Sequence, residues 1–282
     1  MLPVAKPVGP TSHDVVDQVR RVLGIRRVGH LGTLDPFAQG LLVLVIGRAT
    51  RLAPYAAGWA KTYTGTIRLG TVTDTDDPTG AVLQTSEAWR ELDRAAVEGT
   101  LRQFTGRIAQ RPPAHSAVSV GGERAYRRAR RGEAVTLAER PVEIRELALL
   151  EFAPPDVRFR AEVGAGTYLR SLARDVGERL GCGAHLAALV RTAAGPFTLA
   201  DARSPESVTA ADVRDAAVLV QDLPRRDLDA LQREAVVHGR PLPDQGSGTR
   251  DEGRVALFAD GELVAVAERE GATLKPRVVV SD

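Results

Sequence analysis

The irregular order of strand-like and helix-like segments is the feature of this chain that most constrains its fold. Apolar residues at helical spacing predict a helix that starts at Thr11 or Ser12 and ends at Gly24, and the apolar run Leu41 to Ile46 predicts a buried strand. Residues Thr62 to Leu69 alternate between the two faces of a strand, with Tyr63 on the apolar face, which is typical of a half-buried strand.

Further segments continue this pattern. In chain order they are a helix at Arg48 to Ala57, a helix at Leu92 to Phe104, strands at Val142 to Phe152 and Val157 to Val163, a helix from Gly166 to Gly181 and a short helix at His185 to Arg191. Because strands and helices do not alternate regularly, their order predicts an α+β fold with a large, mixed, mainly antiparallel sheet flanked by helices.

A change of pattern at Asp222-Leu223-Pro224 indicates a domain boundary. The short runs after it, at Val255 to Phe258, Leu263 to Ala267 and Arg277 to Val280, are separated by Gly and Asp turns and predict a small all-β domain. The chain of 282 residues has room for one large and one small domain. We therefore expect a domain of residues 1–222, in which the regular pattern breaks at about 110–140, and an all-β domain of residues 225–282.

Composition excludes several classes of protein. The single Cys182 excludes a disulfide framework, the five histidines lack metal-ligand spacing, and no phosphate-binding or dinucleotide-binding glycine motif is present, so we expect no metal and no cofactor. The N-terminus lacks a signal-peptide core and no apolar run approaches the roughly 20 residues of a membrane span. We expect a cytoplasmic protein that does not bind membranes.

Asp74 to Gly80 fails the calcium-loop pattern and predicts a hairpin turn.

Residues Gly29 to Gly40 hold one carboxylate, Asp35, among glycines and a proline. Stiff backbone of this kind can aim a carboxylate at a substrate, but Asp35 can equally be an ordinary turn residue. A buried nucleophilic carboxylate needs a cation nearby to stay ionised, and Arg170 is a candidate. The alternatives are an ordinary ion pair for Arg170 and a core aromatic for Tyr63.

A basic run at Glu123 to Arg131 has five arginines around one tyrosine, in a region rich in Pro and Gly. Basic residues that follow a backbone, with an aromatic side chain among them, suit RNA. Arg127 and Arg128 are therefore candidate contacts to phosphate. The alternative is a solvent-exposed helix face.

Five motifs follow one another along the chain. They are Lys6-Pro7-x-Gly9-x-Thr11-Ser12, the Gly29 to Gly40 segment, Lys61-x-Tyr63, Gly166-Thr167-Tyr168-Leu169-Arg170-Ser171-Leu172 and Gly183-Ala184-His185-Leu186-x-x-Leu189. In their order and spacing they resemble the motifs of the bacterial tRNA pseudouridine-55 synthases. The resemblance covers roughly residues 4 to 200, with a weaker likeness to a PUA-type RNA-binding domain at the C-terminus.

The resemblance implies an isomerase that flips one uridine out of the tRNA TΨC loop and converts it to pseudouridine without a cofactor. It implies that Asp35 is the nucleophile, attacking either the base or the sugar, that Tyr63 stacks on the base, and that Arg170 pairs with Asp35. Substrate-binding roles are implied for four further residues, which are His30, Leu189, Tyr168 and Lys6. The implied partner is the T arm of tRNA, with no obligatory protein partner, and a monomer is expected.

The resemblance also implies that residues at about 110–140 are an insertion that contacts the T arm. The chain departs from the family's pattern at the start of this insertion. His115 and Ser119 stand where the family usually has Tyr and Lys, and Val190 stands where an Arg is common. Two other functions are compatible with the scaffold. One is a non-catalytic protein that binds or folds tRNA, which would give no isomerised product. The other is an Asp-dependent nucleoside hydrolase, which would release free uracil.

Overall fold

A nine-stranded sheet forms the centre of the fold. We analysed a computed structural model, which describes residues 1–116, 118–120, 122–125, 128, 131, 133, 137–244 and 253–281. In chain order the strands are β1 (Leu2–Lys6), β2 (Val28–His30), β3 (Gln39–Ile46), β4 (Lys61–Leu69), β5 (Thr71–Thr73), β6 (Val82–Thr85), β7 (Gly106–Gln110), β8 (Ser119–Val120), β9 (Glu123–Arg124), β10 (Arg140–Ala153), β11 (Asp156–Val163), β12 (Ala184–Ala194), β13 (Phe197–Thr198), β14 (Arg225–Asp227), β15 (Leu242–Pro243), β16 (Arg254–Ala259), β17 (Glu262–Glu270) and β18 (Thr273–Val279). The helices are α1 (Ser12–Leu23), α2 (Arg94–Gln103), α3 (Leu169–Arg179) and α4 (Ala230–Val237), and a long 3₁₀ segment spans Gly47–Ala56.

The central sheet is mixed and mainly antiparallel, as predicted. Its strand order is β1-β3-β12-β4-β11-β10-β7, with β2 paired to β3 and β13 paired to β12. The β12–β3 pair is parallel, and the other pairs of this sheet are antiparallel. The predicted α+β class with a large mixed sheet and a C-terminal β region is confirmed.

The first helix and the alternating strand form where the sequence predicts them. Thr11 caps α1 by accepting a hydrogen bond from the Asp14 backbone N–H, and Gly24 ends α1 in the left-handed conformation at φ 67°. In β4 the alternate residues from Tyr63 to Leu69 are buried, and α2 and α3 pack with them in one core cluster. The predicted turn at Asp74 to Gly80 joins the antiparallel hairpin of β5 and β6.

The predicted short helix at His185 to Arg191 is wrong, because these residues form part of β12. A short apolar run fits a buried strand and a helix equally well, so periodicity does not separate the two. Here tertiary pairing decides, since β12 lies between β3 and β4 and joins two parts of the sheet. The segment predicted as a helix at Arg48 to Ala57 is the 3₁₀ segment Gly47–Ala56, which contains Pro54.

The C-terminal strands form a separate five-stranded sheet in the order β14-β16-β17-β18-β15. Its residues Phe258, Leu263 and Val266 share a core cluster with Leu41 of β3 and with Leu52 of the 3₁₀ segment. The C-terminal sheet therefore packs directly on the part of the chain that follows the Asp35 loop. The domain limits 1–222 and 225–282 stay a prediction. None of the described helices is long and apolar enough to cross a membrane.

Gly40 is where three strands meet, and this generates a stability prediction. Its φ is +107°, and a Cβ placed there would lie 2.8 Å from the Arg191 backbone N and closer still to the Arg191 carbonyl oxygen. We expect Gly40→Ala to lower the free energy of unfolding by about 3 kcal/mol, measured by urea denaturation. Gly24→Ala is the matched control, since Gly24 also has positive φ but has open space around it, and it should cost about 1 kcal/mol. Equal losses would show that Gly40 is not sterically required.

Candidate active site

A cleft of about 470 Å³ lies over the N-terminal end of β4. Its floor is the sheet surface of β4 and β12, where Tyr63 pairs with Arg191 and the neighbouring Gly65 pairs with Leu189. Its sides are the loop that carries Asp35, the connection from β11 to α3, and part of the 3₁₀ segment. The cleft therefore brings together residues that are far apart in the sequence.

The Asp35 loop is held in place from below by side chains that bind its backbone. The Ser12 hydroxyl donates to the Leu34 carbonyl at 3.0 Å and accepts from the Leu34 N–H at 2.8 Å. Arg191 donates to the carbonyls of Leu41 at 2.7 Å and Gly32 at 3.0 Å. These bonds fix both ends of the segment, so the position of Asp35 is set by backbone contacts on either side of it.

Lys6 is a third anchor of this loop. Its side chain is buried, and its Nζ donates to the carbonyls of Ala38 at 2.7 Å and Pro7 at 3.0 Å. Burial lowers the pKa of Lys6 to about 8, and the Asp35 carboxylate opposes this effect. Lys6 is not among the residues that line the cleft. Its predicted contact with substrate stays a prediction, while the structure shows that it binds the loop.

Arg170 connects Asp35 to a second carboxylate. Its Nε lies 3.0 Å from Asp35 Oδ2, and its Nη1 lies 3.5 Å from Asp77 Oδ2. The same guanidinium donates to the carbonyls of Thr75 at 3.0 Å and His115 at 2.9 Å. The Arg170 side chain is only 7% exposed, whereas that of Asp35 is 37% exposed and faces the cleft. Arg170 is therefore held rigidly behind the carboxylate that a ligand would meet.

Asp77 was not identified from the sequence. It lies in the predicted hairpin turn, where its Oδ1 accepts hydrogen bonds from the Thr75 hydroxyl at 2.8 Å and the Thr79 N–H at 2.9 Å. Its neighbour Asp76 pairs with Arg174 one turn further along α3, and burial raises the pKa of Asp76 to about 6. An Asp-rich turn alone does not indicate a site, because such residues are common in hairpins.

The environment raises the pKa of Asp35 above its ordinary value. The main cause is removal of the carboxylate from water in the cleft, and the negative charge of Asp77 adds to it. The Arg170 guanidinium lowers the pKa and so opposes the rise, as does Lys6 more weakly. Arg170 therefore limits the cost of ionising Asp35, which is the role that the sequence predicts for it.

The other predicted substrate-binding residues have different surroundings. His30, Leu189 and Tyr168 line the cleft with Asp35. His30 Nδ1 is buried without a hydrogen-bond partner among the described residues. Burial is the main cause that lowers the pKa of His30, and the positive charge of Arg191 lowers it further.

The basic run is described only in part. Arg127 lies outside the described residues, as do three others of the run. Arg128 donates to Glu133 at 2.7 Å. Its predicted phosphate contact stays a prediction. Within the part of the chain that the structure describes, no group of three His, Cys, Asp or Glu side chains could hold a metal ion.

Comparison with known proteins decides the family. Residues 20–169 match the TruB family pseudouridylate synthase N-terminal domain, and residues 170–233 match the tRNA pseudouridylate synthase B C-terminal domain. The chain belongs to the TruB family of pseudouridylate synthases. The resemblance predicted from five motifs is thus confirmed, and so is the prediction of an isomerase of this family.

Individual relatives extend over nearly the whole chain. It is 46% identical to tRNA pseudouridine synthase B of Thermobifida fusca, with 98% of this chain and 96% of the relative covered. It is 44% identical to the protein of the same name from Synechococcus sp., with 98% and 95% covered. Among solved structures, a chain of a Cbf5–Nop10–Gar1 complex matches with a TM-score of 0.73 and 26% identity, covering 99% of this chain and 84% of that one.

Two more residues of this TruB-family cleft were not singled out as site residues from the sequence. Lys61 and Arg191 both line the cleft beside Gly32. Lys61 stands two residues before Tyr63 on the same strand face, which is a signal that strand periodicity provides. Because Arg191 lies in the segment predicted to be a helix, the sequence did not predict that it pairs with Tyr63 across the sheet.

The position of Arg170 generates a prediction about pH dependence. If the ionised form of Asp35 is active, activity falls as the pH drops through the pKa of Asp35. Removal of the Arg170 charge should raise that pKa further, so Arg170→Gln should move the acidic limb of the kcat/KM profile upward by about one pH unit. Arg170→Lys should move it less. Arg174→Gln is the control, because Arg174 pairs with Asp76 and Asp175 instead. An unmoved limb in Arg170→Gln would contradict the electrostatic role.

Proposed function

We propose that this protein converts uridine 55 in the TΨC loop of tRNA to pseudouridine, with Asp35 as the nucleophile. The observation that carries the proposal is the cleft-facing carboxylate of Asp35, backed by Arg170 at 3.0 Å, over a floor that contains Tyr63. The relatives named tRNA pseudouridine synthase B support tRNA as the substrate.

The reaction rearranges one nucleotide and needs no external reagent. The target base is stacked inside the loop, so the nucleotide has to be flipped out before its atoms can be reached. Asp35 attacks at the base or at the sugar, the bond between C1′ and N1 breaks, and the uracil rotates. C5 then bonds to C1′, the bond between Asp35 and the nucleotide breaks, N1 takes up a proton and the hydrogen on C5 is lost. The ring must stay enclosed during rotation, because a freed uracil would otherwise diffuse away.

The surroundings of Asp35 suit these steps. Tyr63, only 7% exposed on the cleft floor, supplies an aromatic face for the flipped base, and its hydroxyl is available for proton transfer. Leu189 adds an apolar wall beside it. His30 and Tyr168, on the sides of the cleft, are placed to meet neighbouring nucleotides of the loop. Asp77 and the backbone carbonyls of Thr75 and His115 keep the Arg170 guanidinium oriented through the reaction.

The remaining parts of the proposal concern binding outside the cleft. The insertion at about 110–140, including Arg127 and Arg128, would contact the T arm, and residues 225–282 would act as a PUA-like RNA-binding domain. Action as a monomer without an obligatory protein partner, and a cytoplasmic location, also stay predictions. A non-catalytic tRNA-binding or tRNA-folding protein on the same scaffold is the alternative.

The decisive test replaces the nucleophile. We expect Asp35→Asn to abolish pseudouridine formation in a T-arm stem-loop, measured as tritium released from C5-labelled uridine, while RNA binding persists. Asp156→Asn is the matched control, since Asp156 forms an exposed ion pair with Arg68 on the sheet and should leave conversion unchanged. Conversion by Asp35→Asn at the normal rate would overturn the assignment of the nucleophile.

The wild-type product separates the functions. Pseudouridine at the loop position, lost when that uridine alone is replaced by cytidine, is the expected result. Free uracil in place of pseudouridine would indicate a hydrolase, and tight binding without any product would indicate the non-catalytic alternative.

A further inference from the structure

Lys61 and Arg191 form a positively charged corner of the cleft that the proposed chemistry does not use. Both approach Gly32 closely: a Cβ built on that glycine would lie 3.1 Å from Lys61 Cε and 3.5 Å from Arg191 Nη1. Gly32 has φ +101°, so its missing side chain leaves the space in which the two cations meet. The two positive groups therefore share one wall of the cleft.

Neither cation has an acidic partner among the described residues. The Arg191 side chain donates its hydrogen bonds to backbone carbonyls, and Lys61 Nζ donates to the Trp59 carbonyl at 3.0 Å. No ion pair within 4.0 Å joins either of them to a carboxylate in the part of the chain that the structure describes. Burial and the neighbouring Arg191 charge both lower the pKa of Lys61. Two adjacent cations that repel each other at a desolvated surface favour the arrival of an anion.

The position of this corner selects the kind of anion. Lys61 is half-buried and faces the cleft. Arg191 is only 1% exposed and lies deeper in the same wall of the cleft. Lys61 and Tyr63 point to the same face of β4, about 7 Å apart along the strand. That separation is comparable with the distance between the base of a nucleotide and its own phosphate. A base on Tyr63 thus brings its backbone to Lys61.

We infer that Lys61, supported by Arg191, binds a phosphodiester group next to the flipped uridine. The inference rests on the proposed function, because it takes the substrate to be RNA. Lys61 donates to a non-bridging phosphate oxygen, and Arg191 beneath it supplies further positive potential without direct contact. The phosphate is thereby tied to the cleft wall beside Gly32, and the sugar attached to it is held while the base rotates.

The test pairs a charge removed from the protein with a charge removed from the RNA. T-arm stem-loops would carry one neutral methylphosphonate linkage, either on the 5′ or on the 3′ side of the target uridine, or in the distal stem as a control. Binding would be measured by fluorescence anisotropy for the wild type, Lys61→Met, Lys61→Arg and Arg94→Met. Arg94 is an exposed arginine of α2 that pairs with Glu98, so Arg94→Met removes one positive charge away from the cleft.

We expect Lys61→Met to bind the unmodified stem-loop roughly tenfold more weakly than the wild type, and Lys61→Arg to recover most of this loss. One flanking methylphosphonate should weaken wild-type binding by a similar factor and leave Lys61→Met unaffected. The slope of log affinity against log salt should fall by about 0.7 in Lys61→Met. Arg94→Met and the distal linkage should show no such coupling.

Additive losses from Lys61→Met and from both flanking linkages would overturn the inference, as would wild-type binding by Lys61→Met. Thermal unfolding of each variant shows whether its fold is damaged. A damaged fold would also weaken binding to every RNA equally, which distinguishes it from a lost contact. Pseudouridine formation by the wild type on the unmodified stem-loop tests the proposed function separately. Pseudouridine formation without coupling between Lys61→Met and a flanking methylphosphonate would therefore reject only the phosphate site. Absence of measurable RNA binding would reject both the phosphate site and the proposed function.

Discussion

Two buried cations beneath the Asp35 loop are the interaction on which the rest of the site depends. In the sheet register, Lys6 of β1 and Arg191 of β12 both stand opposite Gly40, one on each side of β3. Each is 1% exposed and binds backbone carbonyls around the loop. Burying a positive charge is costly unless polar groups replace water, and here the carbonyls of the loop provide that replacement. The loop carbonyls of Gly32 and Ala38 therefore replace part of the water around the two cations, and a loop conformation that moved these carbonyls away would remove both bonds.

Arg170 adds a second constraint of the same kind. It is buried at the start of α3 and shares its five donors between two carboxylates and two backbone carbonyls. Because Asp77 and the carbonyls hold the guanidinium, its orientation does not depend on Asp35. The pKa of Asp35 still lies above its ordinary value, since desolvation outweighs the attraction of Arg170. The site thus holds a carboxylate whose ionisation is made more costly by burial and less costly by Arg170.

The spacing of apolar residues predicted the helices and strands whose sequence fits only one of the two periods. It failed where the spacing fits both a helix and a strand. The alternation in β4 placed Tyr63 on the buried face, and Thr11 and Gly24 marked the ends of α1. The segment from His185 to Arg191 fits a helix and a strand, and only its pairing with β3 and β4 makes it a strand. The hairpin turn was predicted correctly, yet the role of Asp77 was not, because contact with Arg170 is a long-range property. Lys61 and Arg191 were missed as a pair for the same reason.

The sequence by itself determined the family, the nucleophile candidate and the aromatic and arginine that accompany it. Ordered motifs spread over most of a chain are specific, and local periodicity reports which face of a strand or helix is buried. Only the tertiary structure decided which side chains meet around Asp35. It showed that Lys6 anchors the loop, that Arg170 is shared with Asp77, and that Lys61 and Arg191 adjoin at Gly32. Electrostatic interactions depend on distance in space and on burial, and strand pairing between distant segments sets both.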